Sequence, residues 1–161
     1  MEIKISTYDF FNKFILGLVF SGVVILAYRN NLTSVFDAFK EINESTIIIT
    51  VFSTSALAVV YEVGIIINRL GSIMEDVLKK THLIPFNDDY KRFNEKKKEY
   101  PIMNVLSREY ALSRNSIVLF MLISILSFVR WGWYGFIPLA IMLMFYYSCW
   151  KYAKKICDLM K

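Results

Sequence analysis

Residues 46–68 read TIIITVFSTSALAVVYEVGIIIN, with Glu62 as the sole charge. A run of about 20 predominantly apolar residues matches the hydrocarbon thickness of a bilayer when it is helical. A carboxylate within such a run is costly, so it faces protein or water and needs a partner. This stretch makes the chain a membrane protein and makes Glu62 its most informative residue.

Three further apolar blocks lie around it. One spans about residues 10–28, one 111–129 and one 136–150. The first is preceded by Glu2 and Asp9, and no small-x-small pattern precedes Arg29, so it reads as a retained anchor rather than a cleaved leader. The expected class is an all-α membrane protein, a single domain of four transmembrane helices with a helical cytoplasmic cap at 69–110. The chain is 56% hydrophobic, more apolar than a soluble domain of this length, and its apolar residues are clustered.

Charge gives the orientation. Segments 1–13, 69–114 and 151–161 hold 2, 10 and 4 of the 19 Lys and Arg residues. Four alternating spans put these segments on one side, and the positive-inside rule makes that side cytoplasmic. The expectation is a bacterial inner-membrane protein with both termini inside. The loop 29–45 then faces out, and its formal sequons at Asn31 and Asn43 read as chance. The turn from Arg130 to Gly135 also faces out and joins the last two spans as a hairpin, with Trp131 and Trp133 suited to the headgroup region.

The second span continues beyond the membrane. Ile67, Leu70, Met74, Val77 and Leu78 extend an apolar stripe at helical spacing. Glu75 with Lys79, and Asp76 with Lys80, are acid-first i,i+4 pairs. Pro85 ends the stretch. A second helix is expected to start at Asn87 or Asp88, presenting Phe86, Tyr90 and Phe93. A third runs from about Met103 into the next span. This cap reads as a lid on the spans, as a docking surface or as a disordered loop, with Ser72, Glu75, Asp76, Lys79, Lys80, Tyr90, Phe93, Arg108 and Tyr110 as docking candidates. The run Lys96-Lys97-Lys98 reads as a solvated or lipid-facing patch rather than a specific nucleic-acid site.

No catalytic motif is visible in the sequence. His82 is the only histidine, which rules out multi-histidine metal sites, and Cys149 and Cys157 alone make no zinc site. Phosphate-loop, nucleophile-elbow and dinucleotide motifs are absent. No enzyme, cofactor or metal is expected, and the two thiols are expected to be free.

A polar stripe remains. Ser55, Glu62, Arg69 and Asp76 are seven apart and share one helix face, with Thr54 beside them. Aligning the outer ends of spans two and three at Thr46 and Arg130 puts Glu62 and Arg114 at the same depth, about 24 Å down. An ion pair between them, within or between protomers, is one expectation; separate snorkelling to the interface is the other. Gly17 and Ser21 form a small-xxx-small pair that favours helix contact and self-association.

The stretch from Gly64 through Asn68-Arg69-Leu70-Gly71-Ser72 to Glu75, then Leu78-Lys79-Lys80, resembles a group of small bacterial inner-membrane proteins of uncharacterised function. These share the Asn-Arg-x-Gly-Ser core with an acidic residue after it. A downstream Tyr and Phe, as Tyr90 and Phe93 here, and an arginine entering the next span, as Arg114 here, complete the likeness over residues 60–125. The resemblance implies a multi-pass membrane fold and no activity. Small four-span proteins are also familiar as membrane components of anti-phage systems.

The leading expectation is therefore a non-enzymatic homo-oligomer in the lipid bilayer. Its loop would receive a cytoplasmic protein or small-molecule signal, as in a permeabilising effector or sensor of a defence or stress system. An ion or proton channel or transporter subunit using Glu62, and a scaffold or immunity-type protein, are the alternatives.

Overall fold

The computed structural model describes residues 7–30, 33, 46–85 and 89–161. Among them the regular elements are helical: α1 (Thr7–Ala27), α2 (Thr46–Lys80), α3 (Tyr90–Glu99), α4 (Ile102–Trp131) and α5 (Phe136–Leu159). A 3-10 turn, Gly132–Gly135, joins α4 to α5. Two stretches, Ile49–Lys80 and Ile102–Leu159, are long and apolar enough to cross a membrane; the second is the α4–α5 hairpin. Asn12–Ala27 is a shorter apolar helix. Asn31, Asn43, Phe86, Asn87 and Asp88 lie outside the described residues.

The helices alternate in direction. α1 and α2 cross where neither has a side chain. A Cβ on Gly17 would collide with the Val60 carbonyl oxygen, and one on Gly64 with that of Lys13. Gly17 is thus used inside the chain rather than on a face offered to another copy, because backbone contact of this kind needs glycine on both sides. α2 runs back against α4, and α4 against α5. Phe120 stacks on Phe145 with centroids 5.5 Å apart, and Phe128 meets Phe136 edge-on at 5.0 Å. At the hairpin Gly132 takes φ +60°, a backbone state that glycine enters freely. The Ser124 hydroxyl donates to the Gly135 carbonyl at 2.9 Å.

α4 is the central helix, packed against α1, α2, α3 and α5. Leu16, Ile67, Val118, Leu119 and Ile123 form the core where α1, α2 and α4 meet. Ser113, Ser116, Ser124 and Ser127 of α4 are buried, and their small size lets neighbouring helices approach. Arg130 Nε donates to the Ala27 carbonyl at 2.7 Å, tying α1 to α4 at the hairpin end. The start of α1, the end of α2, α3, the start of α4 and the end of α5 gather at the opposite end. Most of the chain's cations belong to these segments, so we term it the cationic end.

α2 ends at the cationic end in a Schellman turn. The His82 amide donates to the Lys79 carbonyl, and the Leu83 amide to that of Leu78, both at 3.0 Å. His82 has φ +56°, the left-handed position that closes this motif. The only histidine thus sits at a structural stop, where histidine is enriched among non-glycine residues. The turn sends Leu83 back, and Tyr146 of α5 donates to its carbonyl at 3.0 Å. α3 starts at Tyr90, later than expected, and Asp89 caps it, accepting from the Arg92 amide at 2.9 Å.

Candidate functional site

α2 has two contrasting faces. Gly64, Ile67, Gly71 and Glu75 are buried at helical spacing. Ser55, Glu62, Arg69 and Asp76 lie exposed. Every residue from Ile49 to Val59 is also exposed. Thr54 donates to the Thr50 carbonyl and Ser55 to that of Val51, both at 2.8 Å. These hydroxyls are satisfied by their own helix, the arrangement that suits an apolar surrounding. Glu62 makes no hydrogen bond or ion pair with a described residue.

Within the chain the expected Glu62–Arg114 pair does not form. Arg114 Nη1 bonds to Glu75 Oε2 instead. The difference lies in the register. α2 is one helix of 35 residues, and its level against α4 is set by the Asn68–Asn115 and Glu75–Arg114 contacts rather than by the outer ends. Arg114 is therefore about 20 Å along the α2 axis from Glu62, thirteen residues at 1.5 Å each.

What forms instead is a relay of five polar side chains between α2 and α4. Asn115 Nδ2 donates to Asn68 Oδ1 at 2.8 Å, and Arg114 Nε donates to Asn115 Oδ1 at 3.2 Å. Arg114 then meets Glu75, whose other oxygen lies 2.5 Å from Lys79 Nζ. Asn115 is fully buried. It fits because Gly71 faces it: a Cβ there would collide with Asn115 Oδ1. The Glu75, Lys79 and Arg114 side chains are 12%, 17% and 15% exposed, so this is a largely buried ionic cluster. Burial opposes the charged form of Glu75, but the hydrogen bonds and charges of Lys79 and Arg114 outweigh it. They hold the carboxyl below its ordinary value of 4.5.

Beside the cluster is a cavity of about 190 Å³ between α2, α3, α4 and α5. Glu75, Lys79 and Tyr110 supply polar wall, and Phe93, Ile156 and Met160 supply apolar wall. The Tyr110 hydroxyl is buried with no aligned hydrogen-bond partner among the described residues. Burial, then the neighbouring Glu75 carboxylate, push its pKa above that of an ordinary phenol. Arg92 donates to the Lys161 carbonyl, so α3 is held to the end of α5 across the cavity.

The docking candidates divide accordingly. Glu75, Lys79, Phe93 and Tyr110 meet at the cavity. Ser72 is half-buried, its hydroxyl 3.3 Å from the Asn68 carbonyl. Asp76, Lys80 and Arg108 are exposed away from it, and Asp76 and Lys80 form no ion pair with each other. The Tyr90 side chain lies outside what is described. Lys96 pairs with Glu99 at 2.8 Å and Lys97 lies over the Phe93 ring, so the basic run is partly engaged within α3. Asn115 and Cys157 do not stand out in the sequence as site residues. An Asn inside an apolar run is the available signal for the first. The second reaches the cavity only because α5 returns past α2.

Cys149 and Cys157 are free thiols. Among the described residues no group of three His, Cys, Asp or Glu side chains is placed to hold a metal. Comparison of the chain with protein-family models, curated proteins and solved structures finds no match.

Proposed function

We propose that this chain is a non-enzymatic subunit of the bacterial inner membrane that self-associates through the exposed face of α2 and receives a signal at its cationic end. The observation that carries this reading is the double use of α2. Its inward face holds the Asn68–Gly71–Glu75 contacts to α4, while its outward face presents Glu62 and Arg69 without a partner among the described residues. Glu62 facing lipid is expensive, and a second copy offers it hydrogen-bonding groups in place of hydrocarbon. Because α2 is continuous, a change at Glu75 is mechanically joined to the face that carries Glu62. Such a subunit suits a permeabilising effector or sensor of a defence or stress system.

The reading includes four spans with both termini cytoplasmic. The alternating helix directions and the cations gathered at one end support it. Reporter fusions at the C-terminus test it: alkaline phosphatase should be inactive there and a fluorescent protein bright, and the reverse result overturns the topology. For self-association, Ile66 is 57% exposed on α2 and Leu143 equally so on α5. Ile66→Cys in membranes should cross-link copies and Leu143→Cys should not. A monomer under both conditions overturns the oligomer.

The exposed Glu62 also favours a second reading, a cation or proton pathway formed between copies. Steady flux through reconstituted vesicles that Glu62→Gln alters would support it, and flux indifferent to Glu62→Gln would remove it.

A further inference from the structure

We propose that the cavity between α2, α3, α4 and α5 is a binding site for a compact, uncharged apolar molecule about the size of one aromatic ring, seated against Phe93, Ala153, Ile156 and Met160. This rests on the reading of the cationic end as the signal-receiving end, and it names the class of signal.

Size comes first. An apolar cavity of about 150 Å³ is enough to hold benzene. At about 190 Å³ this one takes a single ring with a small substituent. It is below the range of about 300–1,000 Å³ usual for drug-sized ligands, which excludes nucleotides and whole lipids. Phe93 and the Met160 sulfur line it, and both are favourable neighbours for a ring.

Wall chemistry gives the charge. The polar side chains of the wall are Glu75, Lys79, Ser107 and Tyr110, and each is engaged within the protein. Arg114 and Lys79 take one Glu75 oxygen each. The Tyr110 hydroxyl lies against the same carboxylate. Ser107 donates to the Met103 carbonyl at 2.7 Å. An incoming anion meets the Glu75 carboxylate, and an incoming cation meets the Lys79 ammonium that already holds it. Either ion would leave water for a wall with no spare counter-charge, a cost that nothing there repays. A buried water is held by about two to four polar partners, and these side chains are already spoken for, so an apolar guest displaces weakly held water. The rest of the wall is hydrocarbon, and burying the guest's own hydrocarbon against it drives binding.

Toluene is the probe, with benzoate and benzylammonium as charged solutes of the same ring size, on the full chain in lipid nanodiscs at neutral pH. Cys157 lines the cavity and is half-buried, whereas Cys149 is fully buried. Maleimide modification of Cys157, resolved by mass spectrometry, therefore reports occupancy, and Cys149 reports loss of fold. Toluene should slow Cys157 modification in a saturable way. Benzoate and benzylammonium should each need more than about a hundredfold higher concentration, because each must bury or shed an unpaired charge. Ala153→Leu on α5 and Ser107→Leu on α4 fill the cavity from two walls. In whichever of them keeps Cys149 protected, toluene should no longer change the Cys157 rate. Protection by benzoate or benzylammonium at the concentration that suffices for toluene overturns the uncharged class. An equal effect of toluene on wild type and the filled variants traces it to the bilayer and overturns the site, as does no protection by any solute with Cys157 still reactive. Ile66→Cys cross-linking on parallel samples separates the ligand from the signal reading. Toluene should change the cross-linking rate: protection with that rate unchanged keeps the binding site and removes the signal reading, and cross-linking without protection removes the ligand assignment alone.

Discussion

Glu75 and Arg114 give the sharpest test of the structure, because they replace a different pairing that simple depth-matching favours. Both side chains are at least 85% buried, so the pair belongs with interior ion pairs rather than surface ones. Removing one partner of a buried pair costs about 3–5 kcal/mol, mostly because the other charge is stranded. Here Lys79 still holds the second oxygen of Glu75, which brings the expected loss for Arg114→Met down to about 2–3 kcal/mol. Glu75→Leu should cost a similar amount by stranding Arg114. The double variant should be less destabilised than the two losses added, by a coupling of about 1.5–3 kcal/mol. Equilibrium unfolding in mixed micelles, followed by helix signal against denaturing detergent, measures all four corners of the cycle. A coupling within about 0.5 kcal/mol of zero would mean that the two residues act independently and that α2 sits on α4 in a different register. Glu62→Leu combined with Arg114→Met should be additive; coupling there instead would restore the depth-matched pair.

Other perturbations probe separate parts of the fold. Because Glu75 has a lowered pKa when folded, its stabilisation is complete above the unfolded carboxyl value of 4.5 and is lost as pH falls through the lower folded value; unfolding at stepped pH should show this acid loss in wild type and not in Glu75→Gln. Gly17→Ala and Gly64→Ala should each cost several kcal/mol by prising α1 from α2, whereas Gly22→Ala, with open space around it, should gain about 0.5–1 kcal/mol from helix propensity; equal effects at Gly17 and Gly22 would refute the crossing. His82→Gly should stabilise by about 1 kcal/mol by relieving the left-handed backbone, and His82→Val should destabilise, as thermal unfolding would read. Asn115→Leu should cost more than about 2 kcal/mol, since it strands Asn68 and overfills the space opposite Gly71; a neutral result would refute the relay.

Much of the architecture is legible along the chain. The helices follow from apolar runs with turn residues between them, and Gly132 with Gly135 marks the hairpin. The continuation of α2 to Lys80 follows from an apolar stripe that keeps helical period past Asn68. The Glu75–Lys79 contact follows from i,i+4 spacing, which any helix enforces. The stripe from Ser55 to Asp76 likewise needs only the helical period to share a face. Gly17 is legible as a close-contact residue, but its partner is not.

What sequence could not supply was relative placement. Periodicity gives the angle of a residue around its own axis and says nothing of how far one helix slides along another. That slide is decided by steric fit: Gly17 against Val60, Gly64 against Lys13, and Gly71 making room for Asn115. Once those backbones seat, Arg114 lands beside Glu75 instead of Glu62, and Tyr110 and Cys157 come to line one cavity. The sequence by itself determined an all-helical chain with membrane-length apolar stretches, cations clustered in a few segments and a polar stripe on α2. Only the tertiary structure decided which charge meets which, because a side-chain contact depends on interhelical register, and register is a property of packed surfaces rather than of any one helix.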